Sequence, residues 1–291
     1  MKIDFMSDLH IDFYINEYNP ETAKFERQLN NFIEIIGIEG GDAIVIPGDL
    51  GHYFKQNSAF LLKMKEMYKH VIFVPGNHDR YLVSKSQQKR YMNSSTNRVL
   101  ELKNFCRENN IIYLDGDVVS VDGVTFAGTG MSWDKSYLEH IHGEHVSDTY
   151  ILNLFERDMN DSNLIMEGAI YDIPLAYGGI HKLRTFDPFE LQEKELEKLS
   201  KIQKADNVDV FVSHYSPVVP PDLLMKYRDE ESTTFYFFDG LDHVKRIKPK
   251  YWLFGHTHVP YDFKVDETRM LCNPCGYPSE GIPTKVESIV I

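Results

Sequence analysis

Five short motifs place carboxylate, imidazole and amide side chains directly after apolar segments of the chain. In chain order, the motifs are Asp8-Leu9-His10, Pro47-Gly48-Asp49, Pro75-Gly76-Asn77-His78-Asp79, Val212-Ser213-His214 and Gly255-His256-Thr257-His258. In the first motif only Leu9 separates the carboxylate from the imidazole, and side chains two apart on an extended segment point the same way. We therefore expect Asp8 and His10 to be aimed together at one point just past a strand end.

The five motifs are expected to converge, because functional groups in open α/β sheets gather at the carboxyl ends of the strands. A glycine just before the polar residue lets the backbone turn sharply and approach a ligand closely. The convergent groups comprise two carboxylates, four imidazoles and one amide. We predict that the following side chains bind metal: Asp8, His10, Asp49, Asn77, His214, His256 and His258.

This set contains more ligands than one ion needs, and it suits two divalent ions. Mixed oxygen and nitrogen ligands without thiolate indicate Mn, Fe or Zn rather than Ca or Mg, and we favour Mn. Two ions held close together, about 3.5–4 Å apart in two-metal phosphoryl-transfer sites, need a bridging anion. A carboxylate can bridge, whereas an amide or a neutral imidazole ordinarily cannot. Asp49, flanked by Gly48 and Gly51, is therefore the expected bridge.

The segments that must position these motifs alternate between strand-like and helix-like patterns over the first 130 residues. Apolar runs at 42–46 and 71–74 end at Pro-Gly, and residues 20–36 have the apolar spacing of a helix. This alternation predicts an α/β layered core. We interpret residues 1–291 as a single domain in which 131–201, rich in aromatic and acidic residues, is an insertion or cap.

The composition excludes several classes of protein. The chain has 291 residues, 42 % hydrophobic content and a net charge of -13, which allows a large core. Extended nucleic acid is an unlikely partner, since phosphate neutralisation needs a basic face. No apolar run is long enough to span a bilayer, no leader pattern opens the chain, and three cysteines are too few for a disulfide framework. We expect a cytoplasmic protein, and its oligomeric state is open.

The five motifs, in this order, resemble those of the calcineurin-like metallophosphoesterases, and the resemblance covers nearly the whole chain outside 131–200. The segment 271–278, LCNPCGYP, is similar to the bacterial branch of that family, in which the usual form is CNPRGYP. The resemblance implies an α/β fold, a four-layer α/β/β/α sandwich of two mixed sheets flanked by helices, with the site at the strand ends.

The resemblance also implies how the ligands divide between two ions. One ion would be bound by Asp8, His10, Asp49 and His258, and the other by Asp49, Asn77, His214 and His256. His78 matches the family's non-ligand histidine, which hydrogen-bonds the phosphate and protonates the leaving oxygen. We therefore expect Asp49 and His78 to be catalytic, and Asn77 and His78 to contact the substrate.

The expected reaction is hydrolysis of a small phosphate ester, with a phosphodiester such as a cyclic or bridged nucleotide slightly favoured. Two ions lower the pKa of a shared water, the hydroxide attacks phosphorus in line, and His78 supplies the proton for the leaving oxygen. Two alternatives stay open. One is a phosphomonoesterase, protein phosphatase or nuclease, and the other is a non-catalytic metal-bearing scaffold.

Two positions depart from the family pattern. Many relatives have an aspartate after the GD motif that orients the catalytic histidine, whereas this chain has His52 near that position. Either another carboxylate, such as the adjacent Asp79, orients His78, or the acid is less well held. The arginine of NPRG is replaced by Cys275, and Arg80 is our candidate for the phosphate contact that this arginine would make.

Three other features have plainer interpretations. The three histidines within 140–145 have metal-like spacing, but a solvated loop or pocket rim is favoured over a third ion. The CxxC segment at 272–275 does not open a helix and lacks a second cysteine pair, so we interpret it as structural. Trp133, Tyr137 and Tyr177 can stack on a substrate ring, although core packing is favoured for each.

Overall fold

The description of the fold rests on a computed structural model. It describes residues 1–168, 186–205, 207–220, 230–281 and 285–291, together with the backbone of two short strands at 171–174 and 180–183. Tyr177, considered above for substrate stacking, lies outside the described residues. Within the described part of the chain, no helix is both long enough and apolar enough to cross a membrane.

The strands and helices alternate as the sequence pattern predicts over the first 130 residues. The strands are β1 Lys2–Phe5, β2 Gly41–Pro47, β3 Tyr68–Val74, β4 Ile112–Tyr113, β5 Asp117–Val121, β6 Val124–Gly128, β7 Tyr171–Pro174, β8 Ile180–Leu183, β9 Val210–Val212, β10 Tyr251–Phe254, β11 Tyr261–Val265, β12 Thr268–Cys272 and β13 Glu287–Val290. The helices are α1 Ile11–Tyr14, α2 Ala23–Ile35, α3 Phe54–Met67, α4 Lys85–Arg90, α5 Ser95–Glu108, α6 Ser136–His142, α7 Asp148–Asp158, α8 Asp161–Leu164, α9 Pro188–Ile202 and α10 Leu241–Ile247.

Several helices begin at a side chain that satisfies a free backbone N–H of the first turn. Thr22 accepts from the N–H of Phe25 at the start of α2, and Ser94 does the same for Asn97 at the start of α5. Asp187 caps α9, whose first residue is a proline. These residue types are favoured at helix starts because their oxygens replace the missing intrahelical acceptors.

Two mixed sheets carry the ligand motifs. The first sheet has the strand order β13-β1-β2-β3-β4, with parallel neighbours except for the antiparallel pair of β13 and β1. The second sheet has the order β11-β12-β10-β9-β6-β5, with its two edge pairs antiparallel. A separate hairpin pairs β7 with β8. Because the central strands of each sheet are parallel, their carboxyl ends lie at one edge.

The two sheets pack face to face over a buried apolar layer. Ile3 and Phe5 of β1 lie in this layer with Val45 of β2, and Phe126 and Val212 meet them from the second sheet. Ile3 and Phe5 point the same way because successive side chains of a strand alternate between the two faces. This layer forms the centre of the molecule.

Helices cover the outer face of each sheet. On the first sheet, α2, α3 and α5 pack around Ile46 and Phe73, with Phe32 and Phe60 among their buried side chains. On the second sheet, α6, α7, α9 and α10 pack around Trp252. The result is the predicted four-layer α/β/β/α sandwich. The segment 131–201 supplies three of the helices on the second sheet, so its described part is packed onto the core.

Candidate metal centre

The predicted ligands lie together where β1, β2, β3, β9 and β10 end. Three groups of His and Asp ligand atoms there lie within 4.8 Å of one another: Asp8, His10 and His258; His10, Asp49 and His78; and Asp49, His214 and His256. The turn at Gly76 must approach closely, because a Cβ atom at this position would overlap the carboxylate of Asp49. Only glycine permits this approach without a shift of the site.

The backbone aims these side chains in a different way from the one we expected. Asp8 and His10 have φ angles of 52° and 41°, so they occupy the left-handed region and not an extended strand. Asp49, His256 and His258 also have positive φ angles, of 60°, 69° and 51°. Such residues cost on the order of 1–3 kcal/mol each and persist where the surroundings hold them, commonly at functional sites. Left-handed turns, and not strand alternation, therefore direct the ligands.

The first ligand group consists of Asp8, His10 and His258. The Nε2 atoms of His10 and His258 lie 3.0 Å apart, and the latter lies 3.5 Å from Asp8 Oδ1. The other ring nitrogen of His258 lies 2.9 Å from the carboxylate of Glu280. A carboxylate on the outer nitrogen of a ligating histidine orients the ring and raises its basicity. This group thus presents two imidazoles and one carboxylate to a common point.

The second ligand group consists of Asn77, His214 and His256. His214 Nε2 lies 3.0 Å from Asn77 Oδ1, and its Nδ1 lies 2.9 Å from the carbonyl oxygen of Pro47. His256 Nε2 lies 3.1 Å from the carbonyl oxygen of Phe235, which leaves Nδ1 as its available ligand atom. All three side chains are buried, so this group presents an amide oxygen and two imidazoles in a dry environment.

Asp49 lies between the two groups. Its Oδ2 atom is 3.9 Å from His10 Nε2 and 3.4 Å from His214 Nε2, and although it is buried it has no hydrogen-bond partner among the described residues. Its Oδ1 accepts the backbone N–H of His78 at 2.9 Å. A buried carboxylate oxygen without a partner is costly, and a cation would satisfy it. The residues present therefore fit a pair of metal ions that share one carboxylate.

The imidazoles of both groups have strongly shifted pKa values. Burial lowers the pKa of His214 and His258, but Asp49 and Asp8 respectively outweigh it and raise each pKa to about 9. Burial lowers the pKa of His10 to about 4. Burial opposes ionisation of Asp49, yet the neighbouring His214 holds its pKa well below the usual range. Cationic His214 and His258 thus occupy positions where a metal ion would bind neutral rings.

His78 lies beside this centre with its ring held at both nitrogens. Its Nδ1 lies 2.9 Å from His52 Nε2, and its Nε2 faces the hydroxyl of Tyr277 at 3.3 Å. Burial, together with the charges of neighbouring histidines, lowers the pKa of His78 well below its usual value despite the opposing charge of Asp49. The ring is therefore neutral in the ligand-free protein near neutral pH.

Asp79 does not contact the ring of His78 as we had considered. Its carboxylate accepts the backbone N–H groups of Asp49 at 2.9 Å, Gly76 at 2.8 Å and Leu50 at 3.2 Å. Burial and the charge of Asp49 raise its pKa to about 6. Asp79 thus ties together two of the loops that carry the ligands, and the partner of His78 Nδ1 is His52.

A pocket of about 250 Å³ opens next to the two ligand groups. Its described lining includes Asp49, Asn77, His78, Tyr81, Asp158, Met159, Asn160, Tyr236, His256, Thr257, His258, Tyr277 and Glu280. The stretch 158–160 connects α7 and α8 within the segment 131–201, so this segment reaches the site. Tyr236 and Tyr277 add aromatic surface. The described lining contains no lysine or arginine.

Arg80 is not brought to this pocket. Its guanidinium lies 3.4 Å from the buried carboxylate of Glu195 on α9, and it lines a separate cavity beside Asn77. Glu195 also accepts from the backbone N–H of Met131 and from Lys198. The placement of Arg80 next to a buried carboxylate therefore does not support the expected phosphate contact.

The histidines of 140–145, the cysteines of 272–275 and the aromatic residues Trp133 and Tyr137 lie outside the candidate metal centre. His142 lies 2.8 Å from Glu231, and the three histidines of 140–145 are not among the metal-like groups found in the described part of the chain. All three cysteines are free and buried, including the two in 272–275. Trp133 and Tyr137 are buried, and Trp133 packs in the apolar cluster on the second sheet.

Three residues at the site carried no recognisable signal in the sequence. Asp161 accepts the side-chain N–H of Asn77 at 2.8 Å, Glu280 contacts His258, and Asp12 contacts His52 at 2.7 Å. Each acts on a ligand or catalytic candidate that is distant along the chain. No local motif marks such a partner.

Three known proteins are similar to this chain in sequence or in fold. The chain is 22 % identical over 289 residues to the "Uncharacterized protein L509" of Acanthamoeba polyphaga mimivirus, covering 95 % of this chain and 91 % of that protein. The crystal structure of a phosphopantetheinyl hydrolase from Mycobacterium tuberculosis matches with a TM-score of 0.69 and 16 % identity, covering 99 % of this chain and 95 % of that one. A dimetal phosphatase from Danio rerio matches with a TM-score of 0.41 and 13 % identity, covering 94 % and 86 % respectively.

The Mycobacterium structure shows that the fold is shared across nearly the whole chain. A family model described as calcineurin-like phosphoesterase matches residues 1–260. This family implies divalent metal ions, and the described structure has three groups of His and Asp side chains that could hold a metal ion. The chain therefore belongs to the calcineurin-like phosphoesterase family and is a metal-dependent phosphoesterase.

Proposed function

We propose that the protein hydrolyses a small phosphodiester at a dinuclear metal centre. The observation that carries this proposal is the position of Asp49, whose buried Oδ2 lies between the Nε2 atoms of His10 and His214 and accepts no hydrogen bond from the described residues. A carboxylate in this position is what a two-ion site requires as its bridge. The adjoining pocket of about 250 Å³ suits a small ester and not a long polymer.

In this proposal each ligand group would hold one ion, and Asp49 would be a ligand common to both. Asp8, His10, Asp49 and His258 would hold the first ion, and Asp49, Asn77, His214 and His256 would hold the second. Mixed oxygen and nitrogen ligands favour Mn, Fe or Zn, with Mn preferred. When bound, such ions lower the pKa of a coordinated water and neutralise charge on the phosphate.

The role of His78 is to protonate the leaving oxygen. Its Nε2 faces the pocket, while its backbone N–H is fixed by Asp49. Because burial lowers the pKa of His78, its protonated form needs a negative charge nearby. A phosphate bound next to Nε2 would provide that charge. Asn77 and His78 would therefore contact the substrate, and Asp49 and His78 would be the catalytic pair.

The charge of the pocket favours a diester over a monoester. A monoester dianion carries one more negative charge than a diester, and beyond the two proposed ions the described lining offers no lysine or arginine to balance it. Asp158 is paired with Arg157, and Glu280 with His258, so neither pair adds net positive charge. The aromatic faces of Tyr236 and Tyr277 suit an organic group such as a base.

We also propose that residues 1–291 form one domain in which 131–201 acts as a cap. The stretch 158–160 of this segment lines the pocket, while α6, α7 and α9 pack on the second sheet. The tail motif at 271–278 suggests the bacterial branch of the family. The composition suggests a cytoplasmic location.

Side-by-side hydrolysis of bis(p-nitrophenyl) phosphate and p-nitrophenyl phosphate tests the proposal. The protein would be stripped with a chelator and reloaded with Mn²⁺, with Asp49→Asn as the matched variant. Preferential cleavage of the diester, lost in Asp49→Asn, is expected. Preference for the monoester would show that the substrate is a phosphomonoester and not a phosphodiester. No turnover with two ions bound would support a non-catalytic scaffold.

A further inference from the structure

We infer that Asp12 and His52 are positioning residues for His78, joined to it in a hydrogen-bonded chain that ends at the pocket. This inference rests on the proposed role of His78 as the general acid. The inference explains how this protein, which has His52 where many relatives have an aspartate after the GD motif, holds His78 in place. The three residues come from α1, from the loop after β2 and from the loop after β3.

The contacts in this chain are short and continuous. His52 Nδ1 lies 2.7 Å from Asp12 Oδ2, and His52 Nε2 lies 2.9 Å from His78 Nδ1. The backbone N–H of His52 donates to Asp12 Oδ1 at 3.0 Å. Asp12 thus holds His52 through both carboxylate oxygens, which fixes the position and the rotation of the ring.

The chemistry of the three groups determines what each nitrogen does. The carboxylate of Asp12 only accepts, so the Nδ1–H of His52 donates to it. His52 Nε2 is then committed to Nδ1 of His78. Nε2 is the remaining ring nitrogen of His78, and it faces the pocket. A carboxylate that orients an imidazole in this way is the arrangement of hydrolase triads, here with one more ring between them.

The residues packed around His52 hold its ring in this one orientation. His52 is 8 % exposed, and its ring stacks on Tyr81 with an interplanar angle of 7°. A Cβ atom at Gly51 would lie 2.6 Å from Asp12 Oδ1, so glycine is needed for the carboxylate to reach His52. The side-chain amide of Gln87 donates to the carbonyl oxygen of His52 at 2.6 Å. The ring is therefore packed on its face and tied at its backbone.

The test measures how the rate depends on the leaving group. Mn²⁺-loaded full-length protein would be assayed on methyl aryl phosphates whose leaving phenols range from p-nitrophenol to phenol. The variants are His52→Asn, Asp12→Asn, His78→Ala and the double variant His52→Asn/His78→Ala. The matched control is His70→Asn, which breaks the exposed His70–Asp122 contact of 2.9 Å away from the ligand motifs.

Loss of the acid should matter most where the leaving group is poor. We expect His52→Asn to lower kcat by about 10- to 100-fold for phenol, less than the roughly 10²–10⁴-fold that complete loss of a general acid typically costs, and by much less for p-nitrophenol. Asp12→Asn should show the same trend to a smaller extent, with KM unchanged in both. In the His78→Ala background, His52→Asn should cause no further loss, because both substitutions remove one function.

A purely structural role would give a different result. An equal loss for all leaving groups, or a further loss in the His78→Ala background, would overturn the inference. A second readout independent of turnover is the proton NMR spectrum of Zn²⁺-loaded protein. There, ring N–H protons held by Asp12 and His52 should resonate far downfield and disappear in Asp12→Asn. Retention of those signals in Asp12→Asn would also overturn the inference.

The experiment separates this inference from the proposed function. Normal turnover of metal-loaded His78→Ala would contradict the role of His78 itself. A slow His78→Ala protein together with normal His52→Asn and Asp12→Asn proteins would contradict the positioning chain alone. The content of bound metal and the unfolding midpoint of each variant identify any that lose the site through misfolding.

Discussion

The two ligand groups on either side of Asp49 differ in what holds them. In the second ligand group, the outer nitrogens of His214 and His256 meet backbone carbonyl oxygens at 2.9 and 3.1 Å. The amide of Asn77 is fixed by the buried carboxylate of Asp161. The hydroxyl of Tyr81 also accepts from this amide at 3.2 Å, so all the supports of this group are buried and two of them are main-chain carbonyl oxygens.

The first ligand group has one support that is partly exposed to solvent, although its buried carboxylate, Asp8, accepts the backbone N–H of His256 at 3.0 Å. His258 is held by Glu280, whose side chain is 34 % exposed. In the part of the chain that the structure describes, the buried Nδ1 atom of His10 has no hydrogen-bond partner. Supports in a dry environment are stronger than supports in contact with solvent, because water weakens electrostatic interactions. We therefore expect the second group to bind its ion more tightly and the first to exchange its ion more readily.

Replacement of the shared carboxylate should have the largest effect and erase the difference between the groups. Asp49→Asn leaves an amide that cannot bridge, so both ions should bind weakly. Loss of metal assistance worth several kcal/mol predicts a decrease in kcat of about 1,000-fold or more. Diester hydrolysis and bound-metal content would be measured together, with the surface variant Asp122→Asn as control. Two tightly bound ions with normal turnover would contradict the bridge.

Chelator titration should remove the ions in two steps. The ion of the first group should leave first, and the second should leave at a higher chelator concentration. Each step should lower the unfolding midpoint, since a ligand at 100 times its dissociation constant stabilises the fold by about 2.7 kcal/mol. His258→Ala should abolish the first step and His214→Ala the second. Release of both ions in a single step would contradict the expected difference in metal affinity between the two ligand groups.

Asp161 provides a sharper test of the second group. Asp161→Ala removes the acceptor that orients the amide of Asn77 and should weaken the tight ion by about 10- to 100-fold, as partners of metal ligands typically do. Asp161→Asn keeps an oxygen acceptor and should weaken it much less. Metal affinities of the two variants would be compared by competition with a fluorescent chelator. Equal affinities in the two variants would contradict this role.

The smallest effect is expected at Glu280. Glu280→Gln removes a charge that is partly exposed to solvent, so the weaker ion should lose less than about tenfold in affinity. The tight ion should be unaffected. A loss at Glu280→Gln as large as that of Asp161→Ala would show that solvent exposure does not explain the difference between the groups.

The sequence predicted most of the fold, and it predicted that the candidate ligands of both groups lie close together, for one physical reason. Each ligand follows an apolar run, and the carboxyl ends of parallel strands meet at one edge. Local signals of this kind are readable in a single chain. The alternation of apolar runs and helical spacing likewise predicted the layers, since a sheet with apolar faces must be covered.

What the sequence did not predict depends on contacts between distant segments. Asp161 and Asp12 act across gaps of 84 and 40 positions, on Asn77 and His52. Arg80 was chosen for its place beside His78, but the buried carboxylate of Glu195 on α9 pairs with it. The left-handed backbone of the ligands was also missed, because non-glycine residues rarely adopt it without tertiary support.

The register of β1 with β13 pairs residues 2–5 with residues 287–290, and the site joins His10 to His258, 248 positions later. During translation at about 5–20 residues per second, the earliest ligands would wait roughly 10–50 s for the latest. A chain still on the ribosome thus holds only part of the first ligand group. Metal binding by this group would then follow the synthesis of His258, and the edge of β1 that pairs with β13 stays open until β13 has been made.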